Sequence, residues 1–351
     1  MDKRIIQAVA GSGKTTWIIE SLNLEQRFLV VTYTENNLKI INERIMMKFG
    51  YLPTNIHTFT FFSFLYNYCL LPQENVISRF NYWKKSKGID FKTSSRDLRY
   101  VQDSKISHYI NKNNQYYSFR MSKLILKKES IFDFIKDRIE AYCDVFFVDE
   151  VQDLSANDFN LLLRFYNINV NILLLGDFYQ HTFDTSNDGP TNANLYKDYS
   201  KYKNKFNDAF VFDERTLSKS YRCSQSVCQY VEQKLGIKIE SHRTDSTDIN
   251  EVIDCSKIEK IINDPNIKKL FYQTHYKYDI KNSDNWGNSK GSTFPNICVL
   301  LNPNTYKLFV KNDLKDLNPQ TLRKLYVAIT RTNGNLYFIE EKKISRFKIK
   351  H

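Results

Sequence analysis

The chain has 351 residues, of which 42% are hydrophobic and 26% charged, and a formal net charge of +12. This length allows two domains with substantial cores. The sequence contains no run of about eighteen apolar residues and no secretory signal at its start, so we expect a cytoplasmic protein that does not enter a membrane. Its six cysteines include no C-x-x-C pair, which argues against a zinc site or a disulfide framework.

Apolar segments alternate with helical segments along the first half of the chain. The pattern predicts strands over residues 3–10, 27–34, 145–150 and 171–177, and helices over 15–23 and 36–47. Strands that are apolar throughout and alternate with helices are typical of a parallel α/β sheet covered on both faces. Ligands bind at the carboxyl ends of the strands in such sheets.

A second unit of the same kind is predicted from about residue 213. It comprises helices over 224–235 and 319–330 and strands over 268–275, 296–301 and 335–341. We therefore expect an α/β protein with a first domain over 1–212 and a second over 213–351. A small, mainly helical insertion over about 72–140 would interrupt the first domain.

The insertion is strongly basic. Residues 79–138 contain 15 Lys and Arg against 6 Asp and Glu, interleaved with aromatic residues. Basic side chains attract a phosphate backbone and aromatic faces stack on bases, so this composition is typical of a surface that binds a nucleic-acid strand. A solvated, lysine-rich surface without a ligand would have the same composition.

The stretch GSGKTT follows the first predicted strand and opens the first predicted helix. In a P-loop, backbone N–H groups wrap the phosphates, a lysine reaches the outer ones and the next hydroxyl binds Mg²⁺. Lys14 and Thr15 would supply these two groups here. The full cradle would comprise Ala10, Gly11, Ser12, Gly13, Lys14, Thr15 and Thr16. Ala8 stands where the pattern usually has its first glycine.

Two acidic residues, Asp149 and Glu150, follow the strand predicted over 145–150. One carboxylate at such a strand end can hold Mg²⁺ and the next can activate the water that attacks a phosphoanhydride. Acidic residues in the first turn of a helix would give the same local pattern. The preceding P-loop favours the catalytic interpretation.

The ordered motifs AVAGSGKTT, DEVQD, LLLGDFYQ, LSKSYRCS, SKGSTFPNICVLL and LYVAITR resemble those of superfamily 1 helicases of the UvrD/Rep/PcrA type. That family commonly has Ala-x-Ala-Gly at the start of its P-loop. The resemblance extends from Gln7 to Arg331 and implies two RecA-like P-loop domains that use ATP and Mg²⁺. Only 68 positions separate Arg222 from Lys290, so this resembles a minimal form without the large insertion of the second lobe.

The resemblance also implies roles for individual residues. Gln180 would sense the γ-phosphate, Tyr221 would stack on adenine, and Arg222 and Arg331 would reach the γ-phosphate from the second lobe. The residues that it implies for strand binding are Tyr33, Thr60, Phe61 and Phe183. Each arginine could instead form a surface ion pair, and each aromatic side chain could instead belong to the core.

The function implied is that of an ATP-dependent translocase or helicase that moves 3′ to 5′ on single-stranded DNA, with RNA not excluded. A second interpretation is a nucleic-acid-stimulated ATPase switch that regulates a protein partner, such as a nuclease, without unwinding a duplex.

Overall fold

The computed structural model describes residues 1–74, 85–98, 100–182, 191–206 and 208–349. Their contacts define two compact units. The N-terminal unit contains Met1–Ile6, Lys14–Gly176 and, beyond Thr182, the described residues up to Asp213. The C-terminal unit contains Gln7–Gly13, Asp177–Thr182 and the described residues from Glu214 onward. Two short segments that precede residue 183 therefore belong to the same unit as the residues from Glu214 onward.

The N-terminal unit is built on a six-stranded sheet with the order β3-β2-β6-β7-β1-β8. Its strands are β1 (Lys3–Gln7), β2 (Phe28–Thr32), β3 (Ile56–Thr60), β6 (Val145–Val148), β7 (Asn171–Gly176) and β8 (Val211–Asp213). Its main helices are α1 (Lys14–Ser21), α2 (Glu35–Phe49), a short α3 (Phe61–Ser63) that continues as a π-helix over Phe64–Leu70, α6 (Ala156–Arg164) and α7 (Tyr199–Asn204). The pairs β2–β3, β2–β6, β6–β7 and β1–β8 are parallel. Every residue of β2 and β6 is buried, which explains their uninterrupted apolar sequences.

The basic insertion lies between the π-helix and β6. Among its described residues, the regular elements are β4 (Ile89–Asp90), β5 (Tyr116–Tyr117), α4 (Met121–Lys127) and α5 (Glu129–Tyr142), together with short 3-10 turns. Helix α5 buries Ile131, Phe132, Ile135 and Ile139, which share one face at helical spacing. The opposite face is polar, so α5 is an amphipathic helix at the surface of the unit.

The C-terminal unit is built on a five-stranded sheet with the order β11-β15-β14-β12-β13, in which all pairs are parallel. These strands are β11 (Ile249–Glu251), β12 (Ile267–Phe271), β13 (Ser283–Asn285), β14 (Asn296–Leu301) and β15 (Leu336–Glu340). The helices are α8 (Gln225–Leu235), α9 (Cys255–Asn263), α10 (Pro303–Lys311) and α11 (Pro319–Ile329). A small two-stranded sheet pairs β9 (Lys219–Ser220) with β10 (Glu240–Ser241).

The structure confirms the α/β class with parallel sheets and helices. The predicted strands end earlier than their apolar runs suggest: β1 ends at Gln7 rather than at residue 10. Val9 instead donates its N–H to the carbonyl of Leu217, so the chain leaves the sheet there. In the described part of the chain, the helices are too short or too polar to span a bilayer.

Candidate functional site

The loop between β1 and α1 has two positions whose backbone favours glycine. Gly11 has a φ of +74° and Gly13 a φ of +82°, both in the left-handed region. Gly11 also lacks space, because an added Cβ would lie 2.6 Å from the Cβ of Arg222. Ala8 is fully buried and is not among the residues with positive φ. This explains why alanine is tolerated where the P-loop pattern usually has glycine.

The Ser12 hydroxyl lies between these two glycines. The residue is 2% exposed, and the hydroxyl has no hydrogen-bond partner among the described residues. Buried hydroxyls are normally paired, so an unpaired one in this loop fits an oxygen-rich anion such as a triphosphate. Lys14 begins α1 and adds its charge where the helix N-terminus already favours an anion.

In the N-terminal unit, Lys14 lies opposite one of the two predicted acidic residues. Its Nζ is 3.9 Å from Oε1 of Glu150, and the Gln152 amide donates a hydrogen bond to the other carboxylate oxygen of Glu150. The Glu150 N–H donates to Oδ1 of Asp149 at 2.9 Å, and Asp149 is 3% exposed. The lysine thus lies near the Glu150 carboxylate, and the Asp149 carboxylate holds the backbone of Glu150.

Glu150 has a φ of +56°, a conformation that costs a residue other than glycine roughly 1–2 kcal/mol. Strained backbone of this kind is concentrated at functional sites. The Asp149 carboxylate and the Thr15 hydroxyl are hard oxygen donors that suit Mg²⁺. Across the described ranges there is no cluster of three or more His, Cys, Asp or Glu that could hold a metal alone. Protein-bound Mg²⁺ commonly takes its remaining ligands from substrate phosphates and water.

In the C-terminal unit, Arg222 and Arg331 lie close to each other. Arg222 donates to the carbonyl of Thr330 at 3.1 Å. Arg331 is 1% exposed and donates to the carbonyl of Val327 at 3.0 Å and to the Thr330 hydroxyl at 3.4 Å. The partners of both guanidinium groups are therefore neutral oxygens.

The electrostatics of this pair are unfavourable without an anion. Burial and, next, the positive charge of Arg222 lower the pKa of Arg331 to about 10, against the opposing effect of the Asp177 charge. Burial likewise lowers the pKa of Arg222. Neither arginine is in a salt bridge formed by the described residues. Both remain protonated at neutral pH, so the pair forms a cationic site suited to a multiply charged anion.

Tyr221 lies directly beside the P-loop. Its N–H donates to the carbonyl of Gly11 at 2.9 Å, and its side chain is 63% exposed. The ring stacks on His242 with a centroid separation of 3.9 Å and an interplanar angle of 12°. His242 is brought there by the parallel pairing of β9 with β10, since its N–H donates to the carbonyl of Ser220.

The segment that follows β10 also holds the backbone of the Tyr221-Arg222 motif. Arg243 donates to the carbonyls of Arg222 and Asn333, both at 2.6 Å. Ser241 donates to the carbonyl of Cys223 at 2.8 Å. These bonds fix where Arg222 enters the site.

Gln180 is 4% exposed and donates from Nε2 to Oδ2 of Asp177 at 2.8 Å. Asp177 is fully buried, and its other oxygen accepts from the N–H of Tyr179 at 3.0 Å. The segment from Asp177 to Thr182 belongs to the C-terminal unit, together with Gln7–Gly13, Tyr221, Arg222 and Arg331. That unit therefore contains both arginines, the glutamine and the glycine-rich part of the loop.

The residues predicted to bind a strand have different environments. Thr60 is 5% exposed and caps α3 through Ser63, while Phe61 is 1% exposed and packs in the core. Phe61 therefore offers no free face for stacking on a base, contrary to the prediction. Tyr33 is partly exposed and meets Phe62 edge-on at 5.8 Å. Phe183, the fourth predicted residue, lies outside the described residues.

An aromatic cluster that sequence reasoning missed lies next to these residues. Phe62 is partly exposed and contacts Phe91 of the insertion at 5.2 Å. Phe91 is 62% exposed and is followed by the exposed Lys92. His242 and Arg243 were also missed, and no motif marks them. Asp177 lies within the motif LLLGDFYQ, which could have pointed to it.

Two family models match the chain. One describes the viral superfamily 1 RNA helicase core domain and matches residues 95–340; the other describes an AAA domain and matches residues 2–184. No curated protein matches.

Among solved structures, arterivirus nonstructural protein 10 (helicase), in a complex with DNA, is 14% identical and has a TM-score of 0.51; the alignment covers 98% of this chain and 63% of that one. The PRRSV helicase is also 14% identical, with a TM-score of 0.47 and coverage of 98% and 53%. The chain thus spans between about half and two-thirds of these proteins. At this identity the likeness shows the fold.

The viral helicase model matches more than half of the sequence, and the match includes Asp149, Glu150, Gln180, Arg222 and Arg331. The predicted membership of helicase superfamily 1 is therefore confirmed. The chain belongs to the family of viral superfamily 1 RNA helicase core domains.

Proposed function

We propose that the chain hydrolyses ATP in order to move along single-stranded nucleic acid, as a translocase or helicase. More specifically, we propose a motor of the UvrD/Rep/PcrA type that moves 3′ to 5′ on single-stranded DNA. The sequence motifs alone support this more specific proposal. The matching family model describes an RNA helicase core domain, and one structural neighbour was solved in a complex with DNA. Single-stranded RNA and single-stranded DNA are therefore both candidate substrates.

The observation that carries the proposal is the pair Arg222 and Arg331. Arg331 is buried and Arg222 is half-buried, and neither forms a salt bridge with a carboxylate among the described residues, so the pair suits a polyphosphate better than a structural ion pair. Arg222 is also the residue whose Cβ lies against Gly11 of the P-loop. The arginine site and the phosphate loop are thus neighbours within the C-terminal unit.

Each residue then has a role in hydrolysis. The loop from Ala10 to Thr16 would bind the phosphates through its backbone N–H groups, and Lys14 would bind the outer ones. Glu150 would accept the proton of the attacking water, with its carboxylate oriented by Gln152. Arg222 and Arg331 would stabilise the charge of the transition state. Mg²⁺, held by Thr15 and Asp149, would neutralise phosphate charge when bound.

Tyr221 would stack on the base of the nucleotide with the ring face opposite His242. Offset ring stacking contributes about 0.5–1.5 kcal/mol in protein pairs. Gln7 is the glutamine that precedes the P-loop. Its side-chain amide is not available to recognise the base of the nucleotide, because it donates to the carbonyl of Ala8 and accepts from the N–H of Phe178. We therefore attribute nucleotide affinity mainly to the phosphates and to stacking on Tyr221.

The strand would bind to the aromatic cluster of Tyr33, Phe62 and Phe91 and to the basic insertion. Exposed lysines and arginines flank Phe91, the member of this cluster in the insertion, along the sequence: Lys85, Lys87, Lys92, Arg96, Lys105 and Lys112. Tyr100, 92% exposed, adds a second free aromatic face in the same segment. Aromatic faces among cations suit a single strand, because stacking needs no particular base sequence.

The test is the rate of ATP hydrolysis with and without single-stranded DNA and RNA, at a stated salt concentration. We expect a basal rate that one or both strands stimulate. A strand-displacement assay then separates the motor from the ATPase switch, which would hydrolyse ATP without displacing a strand, alone or with a nuclease partner. Absence of hydrolysis under all conditions would refute both forms.

Substitutions of Lys14 and Glu150 should separate binding from chemistry. We expect Lys14→Ala to lose phosphate binding and hydrolysis, because the positive charge at the start of α1 is removed. Glu150→Gln should retain ATP binding and lower hydrolysis by about 10²–10⁴-fold, the usual contribution of a general base. Equilibrium ATP binding and single-turnover hydrolysis measure the two effects. Hydrolysis at the wild-type rate by Glu150→Gln would show that the base is misassigned.

Substitution of Phe91 should weaken strand binding without affecting basal hydrolysis. Phe91→Ala removes an exposed stacking face, and we expect a loss of about 1–3 kcal/mol in the binding of a short oligothymidylate. Fluorescence anisotropy with labelled oligothymidylate and oligouridylate measures it. Tyr142→Ala, which removes another exposed aromatic ring of the same unit, is the matched control. Equal affinities for both variants and the wild type would exclude Phe91 from the strand surface.

A further inference from the structure

The hydroxyl of Tyr326 connects the P-loop to the segment that carries Gln180. Tyr326 lies on α11 and is fully buried. Its oxygen accepts a hydrogen bond from the N–H of Ala10 at 3.0 Å, and its O–H donates to Oδ2 of Asp177 at 3.0 Å. A phenol can do both at once, because it has one donor and two acceptor lone pairs.

Asp177 extends this connection. The oxygen that accepts from Tyr326 also accepts from Nε2 of Gln180 at 2.8 Å. A continuous chain of hydrogen bonds therefore runs from the backbone of Ala10 through the phenol and the carboxylate to the Gln180 amide. All four residues belong to the C-terminal unit.

The direction of these bonds is fixed by protonation. Burial, and the charge of Asp177 next to it, raise the pKa of Tyr326 well above its ordinary value. The phenol therefore keeps its proton, and its O–H donates a hydrogen bond to Asp177 throughout the physiological pH range. A buried carboxylate with fixed donors has few other ways to satisfy its oxygens, so a shift of one donor changes what the others can do.

Helix α11 also contacts the residue after Gln180 and one arginine of the cationic pair. Arg323, one turn before Tyr326, donates from Nε to the carbonyl of His181 at 2.9 Å. Arg331 follows the end of the helix and is five positions beyond Tyr326. The same helix thus contacts the P-loop, the Gln180 segment and the cationic pair.

We propose that Tyr326 is a positioning residue that couples phosphate binding at the P-loop to the orientation of Gln180 through its hydroxyl. Phosphates that draw the loop backbone toward them would move the N–H of Ala10, and Asp177 would pass that movement to Gln180. The inference rests on the proposed role of the loop in binding ATP. It assigns to one oxygen atom a coupling function beyond the packing of its ring.

The test compares strand affinity in the presence and absence of AMP-PNP. Tyr326→Phe removes only the hydroxyl and keeps the ring that packs edge-on against Tyr179 at 5.8 Å. Coupling between two sites typically changes affinity about 5- to 150-fold. We expect AMP-PNP to change oligothymidylate affinity by a factor in that range in the wild type and by a factor near one in Tyr326→Phe.

The matched control is Tyr278→Phe. Tyr278 is a buried tyrosine of the same unit whose hydroxyl also donates to a carboxylate, Oε1 of Glu341, at 2.8 Å. This variant should retain the wild-type ratio. Tyr326 would have a structural role only if Tyr326→Phe kept the wild-type ratio of oligothymidylate affinities with and without AMP-PNP. The same conclusion would follow if the variant lowered both of these affinities equally.

Hydrogen exchange on the wild-type protein gives an answer that does not depend on folding of the variant. AMP-PNP should change the exchange of the peptide that contains Asp177 and Gln180 as well as that of the P-loop. A change confined to the P-loop would overturn the inference. If the wild type bound no AMP-PNP, the proposed function would fail instead, so the two failures are distinguishable.

Discussion

The structure depends on two positive charges held close together, Arg331 buried and Arg222 half-buried. Burial of an unpaired ion costs several kcal/mol, and two like charges in proximity increase that cost. Arg222 and Arg331 are held nevertheless, by the carbonyls of Thr330 and Val327 and by the well-packed α11. A fold retains such an arrangement when an anion offsets the cost, and a nucleotide triphosphate has the charge to do so.

Several otherwise unrelated features of the C-terminal unit serve this pair. The short sheet of β9 and β10 places Arg243 where it holds the carbonyl of Arg222. The close approach of Arg222 to Gly11 leaves no room for a side chain at that position of the loop. These constraints explain why glycine, rather than the strand-favouring residues before it, follows Ala10.

Much of the fold could be predicted from the sequence, because its signals are local. Uninterrupted apolar runs marked β2, β6 and β7, and the P-loop pattern marked the turn between β1 and α1. The ordered motifs likewise singled out Arg222, Arg331 and Gln180, which lie in one unit. The assignment of Gln7–Gly13 to the C-terminal unit could not be predicted, because it follows from long-range bonds such as that between Ala10 and Tyr326.

The site residues that could not be predicted from the sequence have a common physical cause. Phe61 and Phe62 are adjacent, and only the register of the chain at the start of α3 decides that the first is buried and the second partly exposed. His242 joins the site through strand pairing with a segment more than twenty positions away, which leaves no trace in the local sequence. Contacts made by pairing and packing between distant segments are the part that sequence patterns do not encode.

The role of the arginine pair is tested most directly by single-turnover ATP hydrolysis in Arg331→Gln. The control is Arg346→Gln, at an exposed arginine paired with Glu259. If Arg331 stabilises the transition state, hydrolysis should fall by about 10³–10⁵-fold, the usual contribution of such an arginine, while the control keeps the wild-type rate. Wild-type hydrolysis by folded Arg331→Gln would contradict that role.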